Sequence, residues 1–403
     1  MFKITVNTLY ILFLSLPLLS QTFKIDSTQT FGKKSLTFEE VNLVSSYYQQ
    51  DGNHSAITGG EGTEKLTDFA NVIDFKLAYH NGKGKKHSFG ADVGIDYYTS
   101  ASSDKIDTQV SSASSSDVRF YPSVNYSVEN EKTGLVLGGN LAFSNEYDYI
   151  SAGGGFHLSK SSTNRLTDFA LRANIFFDTY RQIVPFEFRM NLPFEQRRKG
   201  EIGNAARNTF DLSMSISHII TKKLQAAITL DVDYQSGLLS TPFHRVYLKD
   251  GSLLREKLPD NRFKLPVGLR INYFIGEKII VRSFYRYYQD NWGMHAHTAQ
   301  IEIPCKLSPM YSISPFYRFH KQSAIDYFAP KGENDPGNLY YSSDFDLSGF
   351  NSHFYGMGIR YTPFKMIADI FAISQLEVRS GVFNRGDGMN AWIISLHLQC
   401  KGF

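Results

Sequence analysis

From residue 39 to the end of the chain, apolar residues recur at every second position in stretches of about ten to fourteen residues. The run from Arg262 to Tyr273 is the clearest. Phe263, Leu265, Val267, Leu269, Ile271 and Tyr273 fall on one face, and Arg262, Lys264, Gly268, Arg270 and Asn272 on the other. A period of two belongs to a β-strand, because successive side chains point to opposite sides of the pleat. One such strand is ordinary. About sixteen, each apolar on a single face, predict an all-β fold: a transmembrane antiparallel β-barrel of sixteen strands, with fourteen to eighteen as the range. A soluble sandwich or propeller is the competing architecture, but no blade-length repeat appears.

The N-terminus fixes an expected compartment. Lys3 precedes an apolar stretch, Leu9 to Leu19, and Ser20 offers a small residue before Gln21. That order reads as a secretory signal peptide at 1–20, followed by a short periplasmic segment at 21–38 and one barrel domain at 39–403. A mean hydropathy of −0.27 does not argue against a membrane, since only alternate residues of a barrel meet lipid. The 24 Tyr and 32 Phe are enough to furnish aromatic girdles at both interfaces. A formal charge of +3 is too small to call for a nucleic-acid partner. Cys305 and Cys400 read as two small apolar residues on outward faces rather than a disulfide.

Strands are expected near 39–50, 66–80, 87–99, 117–129, 133–145, 148–159, 166–180, 207–220, 223–235, 261–275, 278–290, 294–306, 310–320, 352–362, 367–380 and 389–402. Alternate connections are short, and the long ones, 100–116, 181–206, 236–260 and 321–351, all fall on the other side. With both termini inside, short turns face the periplasm and long loops the exterior, which places the chain in the outer membrane of a Gram-negative cell. The last strand ends at Phe403, a terminal aromatic of the kind read by barrel-assembly machinery, although it is out of phase with Trp392, Ile394, Leu396, Leu398 and Cys400.

The faces turned from lipid carry the functional expectation. Early strands place Asp74, Asp92, Asp96, Asp168, Asp211, Asp231 and Asp233 inward, with Lys76, Arg119 and Arg172 among them. Later ones place Arg262, Lys264, Arg270, Arg282, Arg286, Arg318, Arg360 and Arg379 inward, interspersed with Asp290, Glu302 and Glu377. An acidic wall facing a basic one across a water-filled lumen favours polar or ionic solutes. The same charges, fully paired, would instead plug the barrel. His295 and His297 share a face but read as an interfacial rim, and the oxygen-rich 331–346 segment reads as a solvated loop rather than a calcium site. Arg197, Arg198 and Lys199 could meet lipopolysaccharide. Ser217–His218 and Ser352–His353 are sequence neighbours on opposite faces, so neither reads as a catalytic pair.

Leu258-Pro259-Asp260-Asn261-Arg262, and Tyr285-Arg286-Tyr287-Tyr288 with Asp290, Trp292, Gly293, His297 and Thr298, begin a family-like pattern. Tyr317-Arg318 with Gln322, Ala324, Tyr327 and Phe328, and Tyr340-Tyr341-Ser342-Ser343-Asp344 with Leu347 and Ser348, extend it. Together they resemble the bacterial family labelled domain of unknown function 3570. The resemblance implies an outer-membrane barrel whose gene accompanies those for a small lipoprotein and a flavin-attaching enzyme; it assigns no functional residues. The expectation is therefore a porin-like channel, not an enzyme, with no cofactor or metal site assigned. A closed docking barrel for a lipoprotein or redox partner is the alternative, and an outer-membrane enzyme comes third.

Overall fold

The computed structural model describes residues 36–81, 83–99, 116–190, 192–363, 365–367 and 371–402. The expected leader, nearly all of the 21–38 segment and Phe403 lie outside them. The chain forms β1 (Thr37–Asp51), β2 (Leu66–Asn81), β3 (Lys85–Thr99), β4 (Ser116–Asn130), β5 (Leu135–Asn145), β6 (Tyr149–Ser161), β7 (Thr167–Ile183), β8 (Glu201–Thr221) and β9 (Leu224–Gly237). A small hairpin, β10 (Arg245–Tyr247) and β11 (Leu253–Arg255), stands apart from the main sheet. There follow β12 (Asn261–Ile275), β13 (Ile279–Asp290), β14 (His295–Glu302), β15 (Cys305–Lys306), β16 (Tyr311–Gln322), β17 (Phe350–Tyr361), β18 (Lys365–Ile367), β19 (Phe371–Arg385) and β20 (Asn390–Gly402).

Four of these are halves of two strands. β14 and β15 both pair with β13 and β16 and part at Pro304, which has no N–H for the ladder. β17 and β18 both pair with β19 and part beside Pro363. The barrel thus has sixteen strands, all antiparallel. It closes where β1 pairs with β20 from Glu40↔Lys401 to Asp51↔Asn390. Closure removes the sheet edges that a bilayer could not hydrogen-bond.

The strand ends differ from expectation mainly outside the bilayer. β8 begins at Glu201 rather than 207, because Glu201–Ala206 continues the ladder with Thr179–Ile183. The loop between β7 and β8 is accordingly 184–200, and β16, β17 and β19 extend likewise, leaving 323–349 as the loop between β16 and β17. Turns on the periplasmic side are short throughout. On the outer side, the connections after β5, β13 and β19 are short too, so the length asymmetry is one-sided.

Phe75, Ile95, Val124, Leu141, Ile228, Leu269, Tyr355 and Leu396 stand exposed on the outward face, where lipid covers them. Tyrosine–histidine pairs mark its two rims. Tyr285 Oη lies 2.7 Å from His297 Nδ1, Tyr287 Oη 3.0 Å from His295 Nδ1 and Tyr317 Oη 2.9 Å from His353 Nδ1; near the opposite end, His87 Nδ1 lies 2.8 Å from Tyr126 Oη. These rings put a polar tip and an apolar body at the interface. His295 and His297 each face a tyrosine and so belong to this rim. Cys305 and Cys400 are both free thiols.

Leu141, mid-strand and 66% exposed, tests which face meets lipid. Leu141→Arg should destabilise the barrel by about 2–4 kcal/mol, read as a lower urea midpoint in heat-modifiable gel migration, with Asn140→Arg on the lumen face far milder.

Candidate functional site

The lumen wall is built by the residues in antiphase to the lipid face. On the early strands the aspartates are held by neutral donors from adjacent strands. Asn42 Nδ2 donates to Asp74 (2.9 Å), Ser123 Oγ to Asp92 (2.6 Å), Tyr121 Oη to Asp96 (2.8 Å), Asn174 Nδ2 to Asp211 (2.8 Å) and Ser213 Oγ to Asp231 (2.6 Å). Such donors orient a carboxylate without cancelling its charge. Asp74 sits opposite Asp92, and Asp211 opposite Asp233, so like charges face each other across neighbouring strands. Asp168 bonds Ser161 (2.6 Å) beside a periplasmic turn, away from the others.

The basic wall is less uniform than its sequence. Arg282, Arg360 and Arg379 gather around Glu302 and Glu377: Arg360 Nη2–Glu377 2.8 Å, Arg379 Nη1 3.1 Å from each glutamate, Arg282 Nη1–Glu302 3.9 Å. Arg262 pairs with fully buried Asp290 at 2.5 Å and lies over the Trp292 ring. Lys264 stands in register between Asp233 and Asp290. Arg270, Arg286 and Arg318 differ: among the described residues none has a carboxylate within ion-pair distance. Arg270 lies over Phe284, and Arg318 lies over Phe354 while donating Nε to Gln300 (2.9 Å). Arg286, Arg318 and His320 line a cavity of about 320 Å³ whose other side is Phe350, Phe354 and Phe383. The phenyl rings of this patch were not singled out by the sequence pattern.

Above the lumen the outer loops interlock. Loop 52–65 follows the first barrel strand and loop 184–200 the seventh, on opposite sides of the ring. Buried Arg245 reaches both. Its Nη1 donates to the Ile57 carbonyl (2.7 Å) and its Nη2 to Glu187 (3.1 Å). Burial acts to raise the Glu187 pKa, yet Arg245 holds that carboxyl below its ordinary value. Arg385 gathers Asp346, Asp387 (2.7 Å) and Glu64 (3.9 Å) from three loops. His54 stacks on Phe345, and Lys331 meets Glu61 at 2.9 Å. Beneath these contacts, Leu258, Trp292, Met294 and Ile325 make a small apolar core with Leu239, Tyr288, Tyr327, Phe328 and Leu347. Chain therefore crosses the outer mouth as a cap.

The 331–346 segment is divided: Gly332, Glu333 and Asp335 to Leu339 are exposed, as expected of a solvated loop, while Asn334, Ser342 and Ser343 are buried in the cap. Asn334 is 2% exposed and donates Nδ2 to the Ala329 carbonyl (3.1 Å) and to Ser343 Oγ (3.1 Å). The Arg198 and Lys199 side chains lie outside the described residues, while Arg197 donates to the Leu192 carbonyl (2.6 Å). Neither serine–histidine neighbour pair meets: Thr167 lies against His218 (2.8 Å) and Tyr317 against His353.

The sequence profile of the family described as "Protein of unknown function (DUF3570)" matches residues 72–369. The chain belongs to this family. Among curated proteins none matches it. Solved structures with which this DUF3570 protein shares a likeness include a TodX deltaS2S3 mutant monoaromatic hydrocarbon channel, at 10% identity over 93% of this chain and 91% of that one, TM-score 0.42. A BenF-like porin from Pseudomonas fluorescens Pf-5 aligns at 10% identity over 92% and 100%, TM-score 0.41. OccAB1 from Acinetobacter baumannii aligns at 10% over 91% and 97%, TM-score 0.42. The family-like segments of the sequence, 258–298 and 317–348, supply most of the small apolar core of the cap and the Arg270, Arg286 and Arg318 row below it.

Glu64 makes the cap sensitive to pH. Burial pushes its carboxyl from an ordinary 4.5 up to about 7; Arg385 works against the rise, and Asp346, Asp344 and Asp387 add to it. The folded cap thus holds this proton more tightly than a free loop would. The resulting stability is complete below 4.5 and is lost as pH rises through about 7. Proteolytic nicking of loop 52–65 should be slower at pH 5 than at pH 8, and Glu64→Gln should remove most of that difference.

Proposed function

We propose that this DUF3570 protein is an outer-membrane channel for small anionic solutes, organic acids with an apolar or aromatic body above all. The observation that carries the reading is the row of Arg270, Arg286 and Arg318, turned into the lumen without carboxylate partners. A buried, fully paired network would have no use for such cations, since an uncompensated charge in a closed interior is costly. In a water-filled lumen they cost little and draw anions toward them. His320 and the Phe350, Phe354 and Phe383 rings beside them give the solute an apolar surface next to its charge.

Electrostatics also accounts for the two walls. Asp74, Asp92, Asp96, Asp211 and Asp231 accept from neutral donors while the facing wall is rich in arginine, so the two walls set a transverse field across the lumen. A permeating anion tracks the β12–β17 side and a cation the opposite one. The cap supports a second reading, a closed barrel that docks an envelope partner, because Arg245 ties loops from opposite sides of the outer rim.

Purified protein in a planar bilayer under a potassium chloride gradient separates the two. Channel activity is expected, with Arg286→Gln/Arg318→Gln lowering the chloride-to-potassium permeability ratio by about twofold or more. Asp92→Asn/Asp96→Asn should raise the ratio. Absence of conductance from wild type and variants alike would leave the docking barrel.

A further inference from the structure

The cap holds one group of side chains that the channel reading does not use. His244 and Glu256 flank the β10–β11 hairpin, one residue outside the Arg245↔Arg255 pair, so the hairpin sets them side by side. The Glu256 N–H donates to the His244 carbonyl (3.0 Å), which fixes that juxtaposition. Asp344 comes from the separate 323–349 loop. One of its oxygens accepts from the Asp346 N–H (2.9 Å), and the other faces His244.

His244 Nδ1 lies 3.6 Å from Glu256 Oε1 and 3.8 Å from Asp344 Oδ2. Both separations exceed a hydrogen bond. The nitrogen is nevertheless buried, with no hydrogen-bond partner. Unpaired buried polar atoms are costly, and an occupant between the three groups would remove that cost. The three ligand atoms lie within 4.8 Å of one another. Three ligand atoms within 4.8 Å of one another share a centre no more than about 2.8 Å from each, so a small inward shift reaches the bond lengths of zinc to imidazole and carboxylate.

The surroundings fit a ligand set. Glu256 Oε1 accepts from Ser342 Oγ (2.6 Å) and its Oε2 from the Thr241 N–H (2.7 Å), outer contacts of the kind that orient a metal-binding carboxylate. The Glu256 side chain is 2% exposed, whereas those of His244 and Asp344 keep 16% and 22%, which leaves a way in and room for a water as fourth ligand. An imidazole nitrogen beside two carboxylates selects a zinc-class divalent ion over calcium.

We propose that His244, Glu256 and Asp344 form a divalent transition-metal site that staples the β10–β11 hairpin to the 323–349 loop. The test uses full-length protein in detergent, stripped with EDTA and titrated with zinc chloride by calorimetry, then with cobalt(II) by visible absorption. One equivalent should bind with micromolar or tighter affinity, and cobalt should show the intense bands of a low-symmetry site. His244→Ala and Asp344→Asn should each weaken binding at least about tenfold and abolish the bands, while heat-modifiable migration shows that their barrels fold. Zinc affinity that is unchanged in both variants, or absent from wild type, overturns the site. The triad would then be held by a proton on His244, which the two carboxylates favour and burial opposes.

Discussion

The pairing of β1 with β20 is the constraint on which everything else depends. Until those strands meet, the sheet has two open edges whose backbone groups need water. Once they meet, every strand residue belongs to lipid or to the lumen, and the alternation in the sequence becomes a division of labour. The outward positions need only be apolar. The inward positions are free to hold charge, and the interior strands hold a great deal of it.

Closure also explains why the cap exists where it does. β1 begins and β20 ends at the rim where every connection is short, so the long connections all gather at the other. Crowded there, loops 52–65, 184–200, 238–260 and 323–349 bury one another rather than fray. Arg245 and Arg385 are the fasteners: each takes partners from more than one loop. Both arginines are buried, so these ion pairs have a drier setting than a surface salt bridge has, which makes losing one partner more damaging.

Strand positions were legible in the sequence because a period of two is a local signal. Phe263 to Tyr273 shows its face without reference to any other strand. Sixteen such runs placed most strands within a few residues, and the inward aspartates and arginines followed from phase alone. The charge state of the basic wall was not legible: Arg379 meets Glu302 from a strand 77 positions away. Nor was the cap, since Arg245 and Ile57 are 188 residues apart and neither belongs to a repeating pattern. His244 and Glu256 come together only through a three-residue hairpin too short to show periodicity. Asp344 falls in the oxygen-rich segment that reads as a solvated loop, and His244 and Glu256 lie in another loop.

The central claim is that a conducting, charged lumen lies beneath a cap tied at Arg245. Solute flux into liposomes carrying wild type or Arg245→Ala measures it most directly. Removing the guanidinium frees loops 52–65 and 184–200 from each other, so uptake of a small organic anion should rise several-fold in the variant while the barrel stays folded. Equal uptake by two folded proteins would contradict the account.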